Sequence, residues 1–263
     1  MGYAYGYGYG ADRRRGGAMP LDAATEAYVV AIIAAGGGEP DADHKSHYNA
    51  LVGSLKSSGL WAKLELIYLL ANASAVAARI NLKSPGTGML GLNGAPVFTA
   101  DRGYKGDTAN YLTGPALTAL PLFTLNAASM AVRSREALTP APGLTLDIDT
   151  SGGTNSSVRG SNAAGVIVCR ANASTAIGSA TVANTIGFYG WSRTGAASSF
   201  EHKSGAVLST STGAPTSVGT GTLQIGREGR QLASVHVGGG LTESEMITLH
   251  AADLAYAQAV GAA

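Results

Sequence analysis

Ser129-Met130-Ala131-Val132-Arg133-Ser134-Arg135 sets the fold class. Met130, Val132 and Ser134 fall on one side of a period-two pattern, which is how a strand in a sheet reads. Eight further segments rich in β-branched or aromatic residues lie on either side of it. They are Pro96–Ala100, Leu144–Asp149, Gly165–Ala171, Thr185–Arg193, Ser199–Lys203, Ala206–Ser209, Gly221–Gly226 and Leu232–Val237. Gly, Ser, Thr and Asn turns separate them. Many short strands at such spacing predict a mainly-β, antiparallel jelly-roll sandwich over residues 80–240.

Composition supports this. Charged residues are 13% of the 263, against roughly 25% in an ordinary domain. The 37 glycines are about twice the usual share and suit a turn-rich β fold, while 45% hydrophobic residues suffice for a core. Disorder needs the opposite balance. A formal net charge of +1 gives the whole chain no pull toward nucleic acid or acidic lipid. The single cysteine, Cys169, excludes an internal disulfide framework. No run reaches the ~18 apolar residues of a membrane span. The Tyr/Gly-rich start does not resemble a basic-then-apolar signal peptide, so export by that route is not expected.

Residues 19–79 read as a helical region. A first helix follows Pro20 and Asp22 and is stopped by Gly36-Gly37-Gly38. A second is capped by Asp41 or Asp43 and carries Tyr48, Leu51, Val52 and Leu55. A third is predicted from Leu60 through Trp61, Leu64, Ile67, Tyr68 and Leu70 to about Ala73. At 241–263, Thr242-Glu243-Ser244-Glu245 forms a capping box with Leu241 and Met246 as its staple, which predicts a C-terminal helix packed on the sandwich.

Residues 1–18 form a distinct arm. Tyr3, Tyr5, Tyr7 and Tyr9 alternate with small residues, and Arg13, Arg14 and Arg15 follow. Such a segment cannot offset its ordering entropy alone, so assembly contacts with other proteins are expected of it. Stacking and phosphate contact with nucleic acid is the weaker use, because three charges make a small patch that Asp12 dilutes.

Several segments occur in a telling order. These are Leu60–Ala71, Asn81–Pro85, Phe98-Thr99-Ala100-Asp101-Arg102-Gly103-Tyr104-Lys105-Gly106, Gly187-Phe188-Tyr189-Gly190-Trp191-Ser192-Arg193 and Leu241–Glu245 before a helix ending Val260-Gly261-Ala262. This order, over roughly residues 20–263, resembles tailed-bacteriophage and prophage virion proteins with a concanavalin A-like (laminin-G-like) jelly-roll domain. The resemblance implies a tail-fibre, tail-tip or other surface component of the virion, made in the bacterial cytoplasm. Its partners would be other virion proteins, with host surface glycan as a further partner. A homotrimer is a prior from fibre proteins, since no heptad pattern is present.

The candidate sites follow from chemistry. A lectin-like contact needs an exposed aromatic ring with polar groups beside it. Tyr104, Asp107, Tyr111, Trp191 and Arg193 are the glycan-binding candidates. The competing reading makes Tyr189 and Trp191 sheet core and lets Tyr104 pack a loop. Asp147 and Asp149 are at i and i+2 and would share a strand face, as the acid and nucleophile of a retaining glycosidase do. Thr145 and Ser151 stand where flanking glutamates would be expected, so the pair reads better as two strand-end aspartates. Calcium is another use for such oxygens, but no cofactor is expected. His44 and His47 lie one helical turn apart without a nearby third ligand, so zinc is not expected, and Asp41 with solvated histidines reads as a helix start. No nucleophile elbow or phosphate loop is present. The expected protein is a non-enzymatic virion component that contacts host glycan. The alternatives are a capsid head decoration or fibre protein gripped by its arm, and a glycan hydrolase using Asp147 and Asp149.

Overall fold

The computed structural model describes residues 20–137, 147–151, 153–159, 166–178, 180–182, 184–227 and 229–263. The arm residues Tyr3, Tyr5, Tyr7, Tyr9, Arg13, Arg14 and Arg15 lie outside them, as does the 144–146 part of one expected strand.

Two helices come first, α1 (Ala23–Ala34) and α2 (Ala42–Ser57). Asp22 and Asp41 cap them by accepting hydrogen bonds from the N–H groups of Ala24 and His44, both at 2.8 Å. The strands are β1 (Leu64–Tyr68), β2 (Gly91–Asn93), β3 (Val97–Thr99), β4 (Gly103–Lys105), β5 (Tyr111–Ala116), β6 (Ala128–Ser134), β7 (Ile148–Thr150) and β8 (Gly153–Arg159). They continue as β9 (Val166–Ala171), β10 (Ala180–Thr181), β11 (Gly187–Gly195), β12 (Ser198–Lys203), β13 (Ala206–Ser211), β14 (Thr222–Ile225) and β15 (Gln231–Gly238). The last element is α3 (Glu243–Ala259), whose capping box from Thr242 to Glu245 forms as expected. No helix among the described residues is long and apolar enough to cross a membrane.

The strands make two sheets, and every pairing between described strands is antiparallel. The first runs β13-β12-β11-β6-β15-β4-β3, with β1 also beside β15; the second runs β10-β9-β8-β7-β14-β5-β2. Met130, Val132, Tyr189, Trp191, Val235 and Val237 of the first sheet meet Ile148, Val158, Cys169, Leu223 and Ile225 of the second in one core. This is the mainly-β antiparallel sandwich expected from the strand pattern.

The first sheet is covered on its other face too. Ala131, Phe188 and Phe200 there pack against Tyr28 and Ile32 of α1, Tyr48 and Leu55 of α2, and Met246 and Leu249 of α3. The order of layers is therefore helices, first sheet, second sheet. This explains how Phe188 and Tyr189, adjacent on β11, are both fully buried: Tyr189 points into the sandwich and Phe188 into the helical layer.

The same layering corrects the third predicted helix. Residues 60–62 make a single 3-10 turn, and Leu64–Tyr68 is strand β1, paired with β15. Leu66, Tyr68 and Leu70 face the sandwich core, while Ile67 and Leu69 face the helices. A strand apolar on both faces shows no period of two, and a short apolar run cannot be told from a buried helix by periodicity. The 19–79 region is thus not wholly helical and contributes a strand to the first sheet.

His44 is also corrected. It is not solvated: Nδ1 lies 2.9 Å from Asp41 and Nε2 lies 2.9 Å from Asp101, tying α2 to the turn between β3 and β4.

Candidate functional site

The outer face of the second sheet carries a polar band. Ile148, Ile225 and Leu112 are paired across β7, β14 and β5 and point into the core. The neighbouring register, Asp149 opposite Gln224 opposite Thr113, therefore faces outward. Tyr111 lies two residues before Thr113 on the same side.

Three of these groups are joined. Gln224 Nε2 donates to the Tyr111 hydroxyl at 3.1 Å. Arg227 donates through Nη1 to Gln224 Oε1 at 3.0 Å, and its guanidinium sits 5.3 Å from the Tyr111 ring centroid. A cation over an aromatic face at this distance is attractive. Tyr111 and Arg227 remain partly exposed, while Gln224 is buried between them with both amide atoms engaged, so the cluster offers solvent the Tyr111 ring and part of the Arg227 guanidinium.

Asp149 stands beside this cluster and is buried. Burial pushes its carboxyl up to about 6, against the opposing pull of the Thr150 N–H and of Arg159, Arg227 and Arg170. The exposed part of Arg227 suits a hydroxyl-rich or anionic ligand, since planar guanidinium donors bind oxygen pairs.

The remaining candidates separate by burial. Asp107 is exposed in the loop before β5, where it accepts from the N–H groups of Ala109 and Asn110 at 2.8 and 2.9 Å. The Asn110 side chain and these two N–H groups hold its carboxyl below the usual range. Asp107 thus braces the loop that leads into Tyr111 at the start of β5. Tyr104 is 4% exposed; its hydroxyl donates to the Ala75 carbonyl and its ring packs on Phe98. Trp191 is fully buried, edge-on to Phe123. Arg193 is 1% exposed and donates to the carbonyls of Ala171, Gly195, Ala196 and Gly213. The glycan contact expected of Tyr104, Trp191 and Arg193 is corrected accordingly: all three are interior residues, and Arg193 is a bracket between strand ends.

Asp147 and Asp149 do not act as a pair. Residue 147 lies just outside β7, so strand alternation does not govern it. Its carboxylate points between the sheets, accepting from the Tyr189 hydroxyl at 2.8 Å and from Arg230 through two bonds. Asp149 lies on the outer face instead. The shared face expected of them is corrected.

As members of this polar band, Asp149, Gln224, Arg227, Arg159 and Arg170 carry no signal in the sequence. They come from four neighbouring strands and the turn after β14, which only the sheet order brings together. Among the described residues, no group of three His, Cys, Asp or Glu side chains is placed to hold a metal ion. A separate cleft of about 270 Å³ is bordered by Glu65, Asn81, Thr87 and Pro115. Its polar groups are engaged in holding β1: Asn81 bonds to Ile67 and to the Glu65 carbonyl, and Glu65 accepts from Leu122 N–H.

No family model matches this chain, and no curated protein matches it. Solved structures do. Trypanosoma rangeli sialidase, determined in complex with sialic acid, is similar with a TM-score of 0.53 at 10% identity, over 79% of this chain and 39% of the sialidase. The binding domain of Paraclostridial Mosquitocidal Protein 1 is similar with a TM-score of 0.53 at 9% identity, over 73% of this chain and 52% of that domain. This chain therefore spans well under two thirds of either protein. At such identities the likeness is one of fold, and it places this β-sandwich among those found in these two proteins.

Proposed function

We propose that this chain is a glycan-contacting module on the surface of a bacteriophage particle, in a tail fibre or tail tip, and that Tyr111 and Arg227, tied together by Gln224, make the contact. The observation that carries the reading is the joined ring, amide and guanidinium on the outer face of the second sheet. Two further lines support it. The fold is shared with a sialidase and with the binding domain of a mosquitocidal protein, and the segment order resembles phage virion proteins. Binding is favoured over hydrolysis because Asp147 is committed to Arg230 and Tyr189. The module would act within a homo-oligomer, with the arm at 1–18 gripping other virion proteins.

Two measurements test this. The intact protein is applied to host-cell polysaccharide and to a glycan array, beside Tyr111→Ala and Arg227→Ala. Binding by the intact chain, weakened about tenfold or more in both variants at unchanged melting temperature, supports the site. No binding to any glycan overturns it. Cryo-EM of purified particles addresses the setting. Density at the tail supports the first placement, density on capsid facets supports the head-decoration alternative, and absence from particles removes the virion role.

A further inference from the structure

Three histidines meet where α3 lies on the first sheet. His202 of β12, His236 of β15 and His250 of α3 surround Phe188, with ring centroids 6.1, 6.0 and 5.4 Å from it. His202 and His250 are 6.2 Å apart. His236 is held in place, with Nε2 2.9 Å from Asp253. His202 is fully buried, and neither of its ring nitrogens has a hydrogen-bond partner among the described residues.

That is a costly way to fill space. A neutral imidazole keeps one N–H donor in either tautomer, and a buried unsatisfied donor costs about 1–3 kcal/mol. A leucine would occupy the site without that cost.

The charges around it decide how the ring behaves. The charged neighbour of His202 itself is His250 of α3, and Arg133 of β6, Lys203 of β12 and Asp253 of α3 bear on His250; His236 of β15 lies across Phe188 of β11, and β13 offers Val207 opposite. Asp253 is the anion in this group, and it already serves Arg133 at 2.6 Å, Ser234 and His236. A proton on His202 would therefore face His250, itself beside Arg133 and Lys203, and among the described residues no carboxylate bonds to the His202 ring. We propose that His202, together with His250, makes α3 an acid-released latch on the first sheet.

The direction follows by linkage. Burial, with His250 nearby, lowers His202 to about 4, and burial with Arg133 and Lys203 lowers His250 as well. Once α3 is released, both rings return toward the ordinary value of 6.5. The docked form thus binds fewer protons. Docking is at full strength above pH 6.5 and weakens as pH falls toward 4. From His202 alone, the ratio of released to docked helix rises about 30-fold between pH 7.5 and pH 5. Burial makes the Asp253 carboxyl harder to ionise, but Arg133, His236 and Ser234 outweigh this and hold it far below the usual range, so the Arg133 pair does not switch over this window. The strand pairings do not involve α3, which follows β15 through Gly239 and Gly240, so release of the helix gives up its contacts with Arg133, Ser234 and His236 but breaks no strand pairing.

Hydrogen exchange on the intact protein tests the latch, with amide protection in residues 246–256 compared at pH 7.5 and pH 5. The expected result is a drop of about 30-fold in α3 protection, with β6 and β11 unchanged, and little drop in His202→Leu. If His202→Leu does not fold, His250→Gln is measured in its place and should show a smaller drop than the native chain. Three outcomes overturn the proposal: α3 equally protected at both pH values, α3 and the sheets losing protection together, or the variant behaving as the native chain does.

Discussion

Arg230 and Asp147 are joined by two hydrogen bonds in the interior between the sheets. Both side chains are almost wholly buried, and the Tyr189 hydroxyl donates to the same carboxylate. The aspartate belongs to the second sheet and its two partners to the first, so the group staples one sheet to the other. Removing one partner leaves the other charge in a low-dielectric site. Asp147→Ala is expected to cost about 3–5 kcal/mol, seen as a large fall in the urea midpoint. Replacing both, as Asp147→Leu with Arg230→Met, should recover most of the loss. A double variant as unstable as Asp147→Ala would refute the staple.

Arg193 makes a related claim. Its guanidinium meets four backbone carbonyls, reaching from β11 to Ala171 on β9 and to Gly213 beyond β13. Lysine keeps the charge but not the planar fork. Arg193→Lys is therefore expected to lower stability by about 2 kcal/mol, since several carbonyls lose a charge-assisted bond. Glycan binding measured well below the melting temperature should be unaffected. Lost binding in a fully folded Arg193→Lys protein would restore Arg193 as a ligand contact.

These two residues show what is legible in the sequence. Eight of the nine expected strand segments correspond to strands, and the ninth, Leu144–Asp149, meets β7 at Ile148 and Asp149, because turn residues and β-type runs are local signals. Leu64–Tyr68 escapes such a reading because both of its faces are buried, which erases alternation. Arg193 and Trp191 read as site candidates because residue type reveals the chemistry a side chain can do, not which side of a sheet it faces. Tyr111 is legible as an aromatic beside polar loop residues. Its partners Gln224 and Arg227 lie more than a hundred residues away and reach it only through the pairing of β14 with β5. Register between distant strands has no signature in either strand alone.

Glu201 gives a stability change that grows with pH. It is fully buried, accepting from Cys169 N–H at 2.9 Å and from the Ser209 hydroxyl at 2.8 Å. Burial raises its carboxyl to about 7 despite these bonds. The folded pKa lies above the ordinary 4.5, so the protonated form contributes stability that is complete below 4.5 and lost as pH rises through 7. Full ionisation costs about 3 kcal/mol. Glu201→Gln keeps an acceptor for Cys169 and cannot ionise. Its stability should approach or exceed that of the native chain at pH 8.5 and lose this advantage at pH 5. A stability difference between the two proteins that does not change with pH would contradict this account.

His44 works in the opposite sense from His202. Burial alone would lower its pKa, but the bonds to Asp101 and Asp41 outweigh burial and raise it above 6.5. Only the imidazolium can donate from both nitrogens at once, so the charged form bridges α2 to the β3–β4 turn. The stabilisation is complete below pH 6.5 and fades as pH rises through the elevated value. Asp41 and Asp101 are exposed enough to keep the contribution of the bridge small. Asp101→Asn should remove most of that at pH 6 and little at pH 9, where the native chain has already lost the charge on His44. Chemical denaturation at the two pH values reads the difference directly, and an equal loss at both would mean that Asp101 stabilises the turn without His44.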